Sequence, residues 1–142
     1  MTGFLVDTNV LSEFARAGRP DPSVDLWLKT TPEASLFASV LTLAEIRRGI
    51  ELLVPGRRRT HLEQWQDEVT ASFEGRLLPV TKAIADRWAV LSAQNQRNGL
   101  ALANIDGLLA ATAVEHQRTL VTRNLRDFAG TDVAIFNPWE HS

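Results

Sequence analysis

The sequence predicts an α/β fold built on a mostly parallel sheet of about five strands flanked by helices. Three observations lead there. Short apolar runs alternate with longer stretches of helical period, the order that gives strand–helix–strand crossovers. Gly, Pro and capping residues punctuate nearly every junction. The chain has 142 residues, 44% of them apolar and 23% charged, enough for one real core and too few for two ordinary domains. Residues 1–142 are therefore read as a single domain, without repeats or an interdomain linker.

Each element has its own signal. Phe4 to Val6 is a short apolar run that reads as a buried strand. A helix follows from Val10 to about Ala17, capped by Thr8 or Asn9 and ended by Gly18 and Pro20. Asp21-Pro22 opens a second short helix, with Val24, Trp27 and Leu28 as its core stripe. Leu36 to Val40 is the second strand. Thr42 is placed to cap a helix running to about Val54, where Pro55-Gly56 stops it. Arg57-Arg58-Arg59 reads as a solvated loop, after which Thr60 and Glu63, at capping-box spacing, start a helix through about Phe73. Leu77 to Val80 is the third strand. Thr81 caps a long helix from Lys82 to Asn98 that Gly99 closes. After the loop Leu100 to Ala103, Asn104 and Asp106 fall in the first turn of a helix ending near His116. Leu120 to Thr122 and Val133 to Phe136 complete the strands.

Composition excludes several chemistries. With no cysteine there are no disulfides, thiolate metal sites or cysteine nucleophiles, which fits a reducing compartment. No apolar run reaches the roughly 18 residues that span a bilayer, and no basic stretch followed by a hydrophobic one opens the chain, so a cytoplasmic protein with no membrane association is expected. Phosphate-binding glycine loops and the G-x-S-x-G elbow are absent, and His61, His116 and His141 are scattered singly, the first two expected on exposed helix faces. Net charge is −2, which does not announce a nucleic-acid binder. The cations are nonetheless almost all Arg, Lys29 and Lys82 being the lysines among fifteen basic residues, and a guanidinium fork suits phosphate. Arg57, Arg58 and Arg59 are the densest cluster and the first candidates for RNA contact. Trp65 and Trp88 could face a partner, although core is the commoner fate of such rings.

The acids carry the chemistry. In a right-handed parallel fold, each strand ends at one edge and the next helix leaves from it. Asp7 directly follows the first strand, where open α/β folds place ligands. Glu45 belongs to the start of the helix after strand two, and Asp106 to the first turn of the helix that leads into strand four. Strand four returns to the same edge with Arg123, Asn124 and, one turn on, Asp127. Each has a plainer role available. Asp7 could be a turn cap, Glu45 the second half of a capping box with Thr42, and Asp106 a partner of the helix dipole. Asn124 and Asp127 could form a polar turn. Converging carboxylates raise one another's pKa unless a cation lies between them. All-oxygen donors suit Mg²⁺ or Mn²⁺, and such an ion can assist phosphodiester hydrolysis. An aspartyl-phosphate mechanism would want a second Asp at position 9, which is Asn9.

Four stretches resemble the successive motifs of PIN-domain toxins of the VapC/FitB type: Leu5-Val6-Asp7-Thr8-Asn9, Leu43-Ala44-Glu45-Ile46, Ile105-Asp106-Gly107-Leu108, and Val121-Thr122-Arg123-Asn124 through Asp127-Phe128. They occur in order across nearly the whole chain, and the closing Asn137-Pro138-Trp139 belongs to the same resemblance. It implies a three-layer α/β/α fold and a Mg²⁺-dependent endoribonuclease, the toxin of a type II toxin-antitoxin pair. It further implies a homodimer, a small DNA-binding antitoxin as cognate partner, and RNA as substrate. Asp7, Glu45 and Asp106 fall on the family's acidic positions. The fourth is either Asn124 or Asp127, because members carry an acid at one place or the other. Thr8, Asn9 and Thr122 are then groups that position ligands or water. A metal-dependent DNA nuclease and a catalytically weak binding module of the same fold are the alternatives.

Overall fold

The computed structural model describes residues 3–13 and 20–140. Its elements are β1 (Phe4–Val6), α1 (Thr8–Ser12), α2 (Pro22–Thr30), β2 (Leu36–Ser39), α3 (Val40–Glu51), α4 (Arg57–Ser72), β3 (Leu77–Leu78), α5 (Lys82–Arg97), α6 (Asn104–Glu115), β4 (Thr119–Val121) and β5 (Ile135–Phe136). Single 3-10 turns precede β2, follow β4 and close the described chain. The five strands form one sheet in the order β3-β2-β1-β4-β5. Every pair is parallel, so all strands end at one edge.

Burial on both faces explains the continuous apolar strands. Leu5 points into one core with Leu109, Ala110, Ala113, Leu120 and Phe128. Val6, its neighbour, points into the other with Val10, Val24, Trp27, Ile46 and Val121. Period-two alternation thus feeds two cores, as a doubly covered sheet requires. Helices α1 to α4 cover the second face and α5 with α6 the first. The result is the expected three-layer α/β/α arrangement. Trp27 anchors its side through ring contacts at 5.2 Å to Phe4 and 5.3 Å to Phe136.

Several boundaries differ from the sequence reading, each for a local reason. Helix α1 begins at Thr8 because Asp7, rather than Thr8 or Asn9, is its N-cap. The end expected near Ala17 and Gly18 lies outside the described residues, as does His141. Helix α3 starts at Val40, since the Ser39 hydroxyl accepts from the Leu41 N–H, and it ends at Glu51. Thr42 is therefore buried inside the first turn and caps nothing. The arginine triplet is not a loop. It forms the first turn of α4, so Thr60 and Glu63 make no capping box there. Strands β3 and β5 are two residues each, and β4 lies one residue earlier than expected. His116 is only half-exposed, with a buried Nε2 that has no hydrogen-bond partner. The caps at Asp21 and Thr81 and the left-handed Gly99 (φ 72°) stand as read.

Candidate active site

The carboxyl edge of the sheet gathers the acids. Asp7 is 5% exposed. Its Oδ1 accepts the Thr8 N–H at 2.7 Å and its Oδ2 accepts the Thr122 hydroxyl at 2.8 Å. The register that sets Val6 beside Val121 brings these two strand ends together. The Thr122 hydroxyl in turn accepts from Asn9 Nδ2 at 3.2 Å and from the Asn124 N–H at 3.1 Å. With both lone pairs taken, its one proton goes to Asp7. The Asn9 carbonyl oxygen accepts the Arg123 N–H at 3.4 Å, which closes the link between α1 and the end of β4.

Glu45 lies in the second turn of α3, not the first, because that helix opens at Val40. There it meets the Thr8 hydroxyl, which donates to its Oε1 at 2.7 Å. This removes the capping-box role. Asp106 sits in the first turn of α6, whose N-cap Ala103 offers no side-chain bond. Asp127 is carried on the 3-10 turn Leu125–Phe128 that follows β4.

Electrostatics ties the four together. Burial raises the pKa of Asp7, against the lowering effect of its two hydrogen bonds, and the charges of Glu45 and Asp127 raise it further. Asp106 is pushed up to about 6, first by burial and then by Asp127, Asp7 and Glu45. No cation contributes to either shift. Between the two residues left open after β4, Asp127 is the one whose charge reaches both Asp7 and Asp106. Asn124 instead contributes its backbone N–H to Thr122.

The donor set is all oxygen, crowded with like charge and short of cations, which fits a hard divalent ion. Among the described residues no three acidic or imidazole side chains stand close enough to enclose an ion as placed. A prebuilt cage is not required for Mg²⁺, which keeps several waters and takes one or two carboxylates directly.

The arginine triplet is not assembled with these acids. Arg59 is committed to the α3–α4 turn, with Glu51 at 2.6 Å, the Leu53 carbonyl at 3.2 Å and Glu63 at 4.0 Å. Arg57 and Arg58 are exposed beside it at the start of α4. Trp65 packs on the core and Trp88 is half-buried against Gly107. Sequence reasoning missed the pairing of Arg123 with Trp139, whose ring centroid lies 5.1 Å from the guanidinium carbon. Sixteen positions separate the two, with no pattern linking them.

A parallel sheet that collects acids from four distant segments at its carboxyl edge defines the PIN class, and the chain belongs to the PIN-domain family, whose profile matches residues 4–133. It is 37% identical to Toxin FitB of Neisseria gonorrhoeae over 136 residues, covering 95% of this chain and 97% of that protein. It is 36% identical to a VapC ribonuclease of Sinorhizobium fredii over 137 residues, covering 96% and 97%. The gonococcal FitAcB crystal structure superimposes with a TM-score of 0.89 at 36% identity, covering 96% of this chain and 99% of that one. No described helix is long and apolar enough to cross a membrane.

Proposed function

We propose that this protein is a divalent-metal-dependent endoribonuclease, the toxin of a type II toxin-antitoxin pair, acting through Asp7, Glu45, Asp106 and Asp127. The observation that carries the reading is the placement of Asp7, Glu45, Asp106 and Asp127 at one edge of the sheet, where burial first and then neighbouring acids raise Asp7 and Asp106. Its relatives include a protein named a VapC ribonuclease and a protein named a toxin.

Asp7, Asp106 and Glu45 would hold Mg²⁺, with Mn²⁺ as a substitute, and Asp127 would add charge from the β4 side. The ion when bound polarises the phosphodiester and activates water for in-line attack. The chain's own residues orient the acids. Thr122 fixes the direction of a proton toward Asp7 Oδ2, which leaves that carboxylate an acceptor. Thr8 holds Asp7 through its N–H and Glu45 through its hydroxyl, so one residue sets the relation between two ligands. Asp106 is pushed up to about 6, first by burial, so its proton is exchanged a little below neutral pH.

A structural neighbour at 35% identity is FitAB bound to an IR36 DNA fragment. By that similarity we pair this chain with a small DNA-binding antitoxin, and expect a homodimer in the cytoplasm as the working unit.

The direct test incubates the purified, antitoxin-free protein with labelled RNA and DNA, with Mg²⁺ or with EDTA. RNA cleavage is expected only with metal and is lost in the Asp7→Asn, Asp106→Asn double variant. Cleavage that persists in EDTA or in the double variant would overturn the metal mechanism, and cleavage of DNA alone would replace the substrate.

A further inference from the structure

The last turn of the β4 edge holds a cation that the acid site does not use. Arg123 follows Thr122 directly, so the Thr122 side chain enters the acid cluster while the Arg123 guanidinium lies over the Trp139 ring at 5.1 Å. Its backbone N–H is fixed by Asn9, the residue that also serves Thr122. Both ends of the residue are thus held: the main chain by a ligand-orienting amide, the side chain by an aromatic face. Trp139 is itself placed by its N–H bond to Asn137 Oδ1 at 3.0 Å and by packing on the α1–α2 core.

One fact makes this arrangement more than a clamp on the C-terminal segment. Among the described residues no carboxylate pairs with Arg123, although four acids stand at the same sheet edge. An arginine free to swing into an acidic crevice would neutralise it. Stacking on Trp139 holds this one aside, next to the crevice with its fork still exposed.

We propose that Arg123, seated on Trp139, is a phosphate anchor for the single-stranded RNA flanking the bond to be cut. The anchor rests on the nuclease reading and adds to it a substrate-binding group outside the metal ligands. A polyanion crossing a cluster of carboxylates meets repulsion, and a guanidinium seated one residue beyond Thr122 offers compensation at the same strand end.

The test measures binding of a fluorescent single-stranded RNA oligonucleotide in EDTA, in an Asp106→Asn background of the full chain, between about 50 and 200 mM monovalent salt. Arg123→Ala is expected to weaken binding on the order of 10-fold at the low end and to reduce the log–log salt slope by about 0.7, the loss of one phosphate contact. Arg123→Lys should restore the slope but not the full affinity, since it keeps charge and loses the fork. Lys29→Ala, at the opposite edge of the sheet and paired with Asp25, is the control and should leave the slope unchanged. An Arg123→Ala slope equal to that of the parent would overturn the anchor. The unsubstituted chain, given Mg²⁺ and the same oligonucleotide, reports on the nuclease reading separately. Cleavage there together with an unchanged slope rejects the anchor alone, and absence of cleavage rejects the nuclease reading.

Discussion

At the scale of single residues, the proposed role of the acids makes predictions for both stability and activity. Asp106 has a pKa of 3.8 in an unperturbed chain and about 6 when folded. A raised carboxyl pKa means that the folded form binds the proton more tightly, so the protonated site is stabilising below the unfolded value. That contribution disappears as pH rises through the window from 3.8 to about 6. Asp106→Asn should therefore melt at the same temperature as the parent near the lower limit, and above it once the upper limit is passed. Thermal unfolding in EDTA across the window checks this; a variant less stable at neutral pH would contradict it. Thr122 offers a second test. Thr122→Val keeps the shape but removes the proton given to Asp7, and should lower kcat/KM on RNA by about 10–100-fold. Thr122→Ser should stay within a few-fold of the parent. Activity kept in Thr122→Val and lost in Thr122→Ser would show that the methyl group, not the hydroxyl, matters. Asp7, Glu45, Asp106 and Asp127 were legible in the sequence because crossover topology alone sends them to one edge. The choice between Asn124 and Asp127 was not, since both follow the same strand and only the folded turn shows which charge the other acids feel.

At the scale of elements, the helix that carries Asp106 is set by a close approach. A Cβ on Gly107 would lie 2.7 Å from Trp88 Cδ1 and 2.9 Å from its Nε1, so α6 can seat against α5 only with glycine at that position. Gly107→Ala should cost about 1–3 kcal/mol by overpacking, measured by urea unfolding, and should reduce activity further by tilting the first turn of α6. The loop that carries Asp127 is tied in a similar way. Buried Asn95 of α5 donates to the Ala129 carbonyl at 2.9 Å, beside the left-handed Gly130. Element type was readable throughout, whereas starts were less so. Ser39 displaced Thr42 as the α3 cap because a cap is chosen by where the strand stops, and a run of apolar residues does not mark its own last residue. The arginine triplet reads as a loop because a dense run of like charge is usually a solvated one, and three cations at the N-terminus of α4 also oppose its dipole. The Arg59–Glu51 pair at 2.6 Å helps to offset that cost.

At the scale of the molecule, the site is a point of stored repulsion held by two cores. A ligand that binds only the folded form stabilises it by about 2.7 kcal/mol at 100 times its dissociation constant. Mg²⁺ should accordingly raise the melting temperature of the parent at neutral pH, and much less that of Asp7→Asn, Asp106→Asn. A Leu109→Ala change, in the core under α6, should cost about 2–5 kcal/mol with the metal response retained, which separates folding from ligation. The doubly covered sheet was legible because strands too apolar to face water on either side need helices on both. The two-residue length of β3 and β5 was not, because strand ends are set by pairing partners distant in sequence. The sheet order has a temporal consequence. β4 sits beside β1 in the middle of the sheet yet follows β1, β2 and β3 in the chain, and Thr122 and Asp127 come directly after it. A fragment that stops before β4 lacks an interior strand and one of the four acids together. Filling the interior position of the sheet and bringing Asp127 to the other three acids are therefore one event in the assembly of the fold.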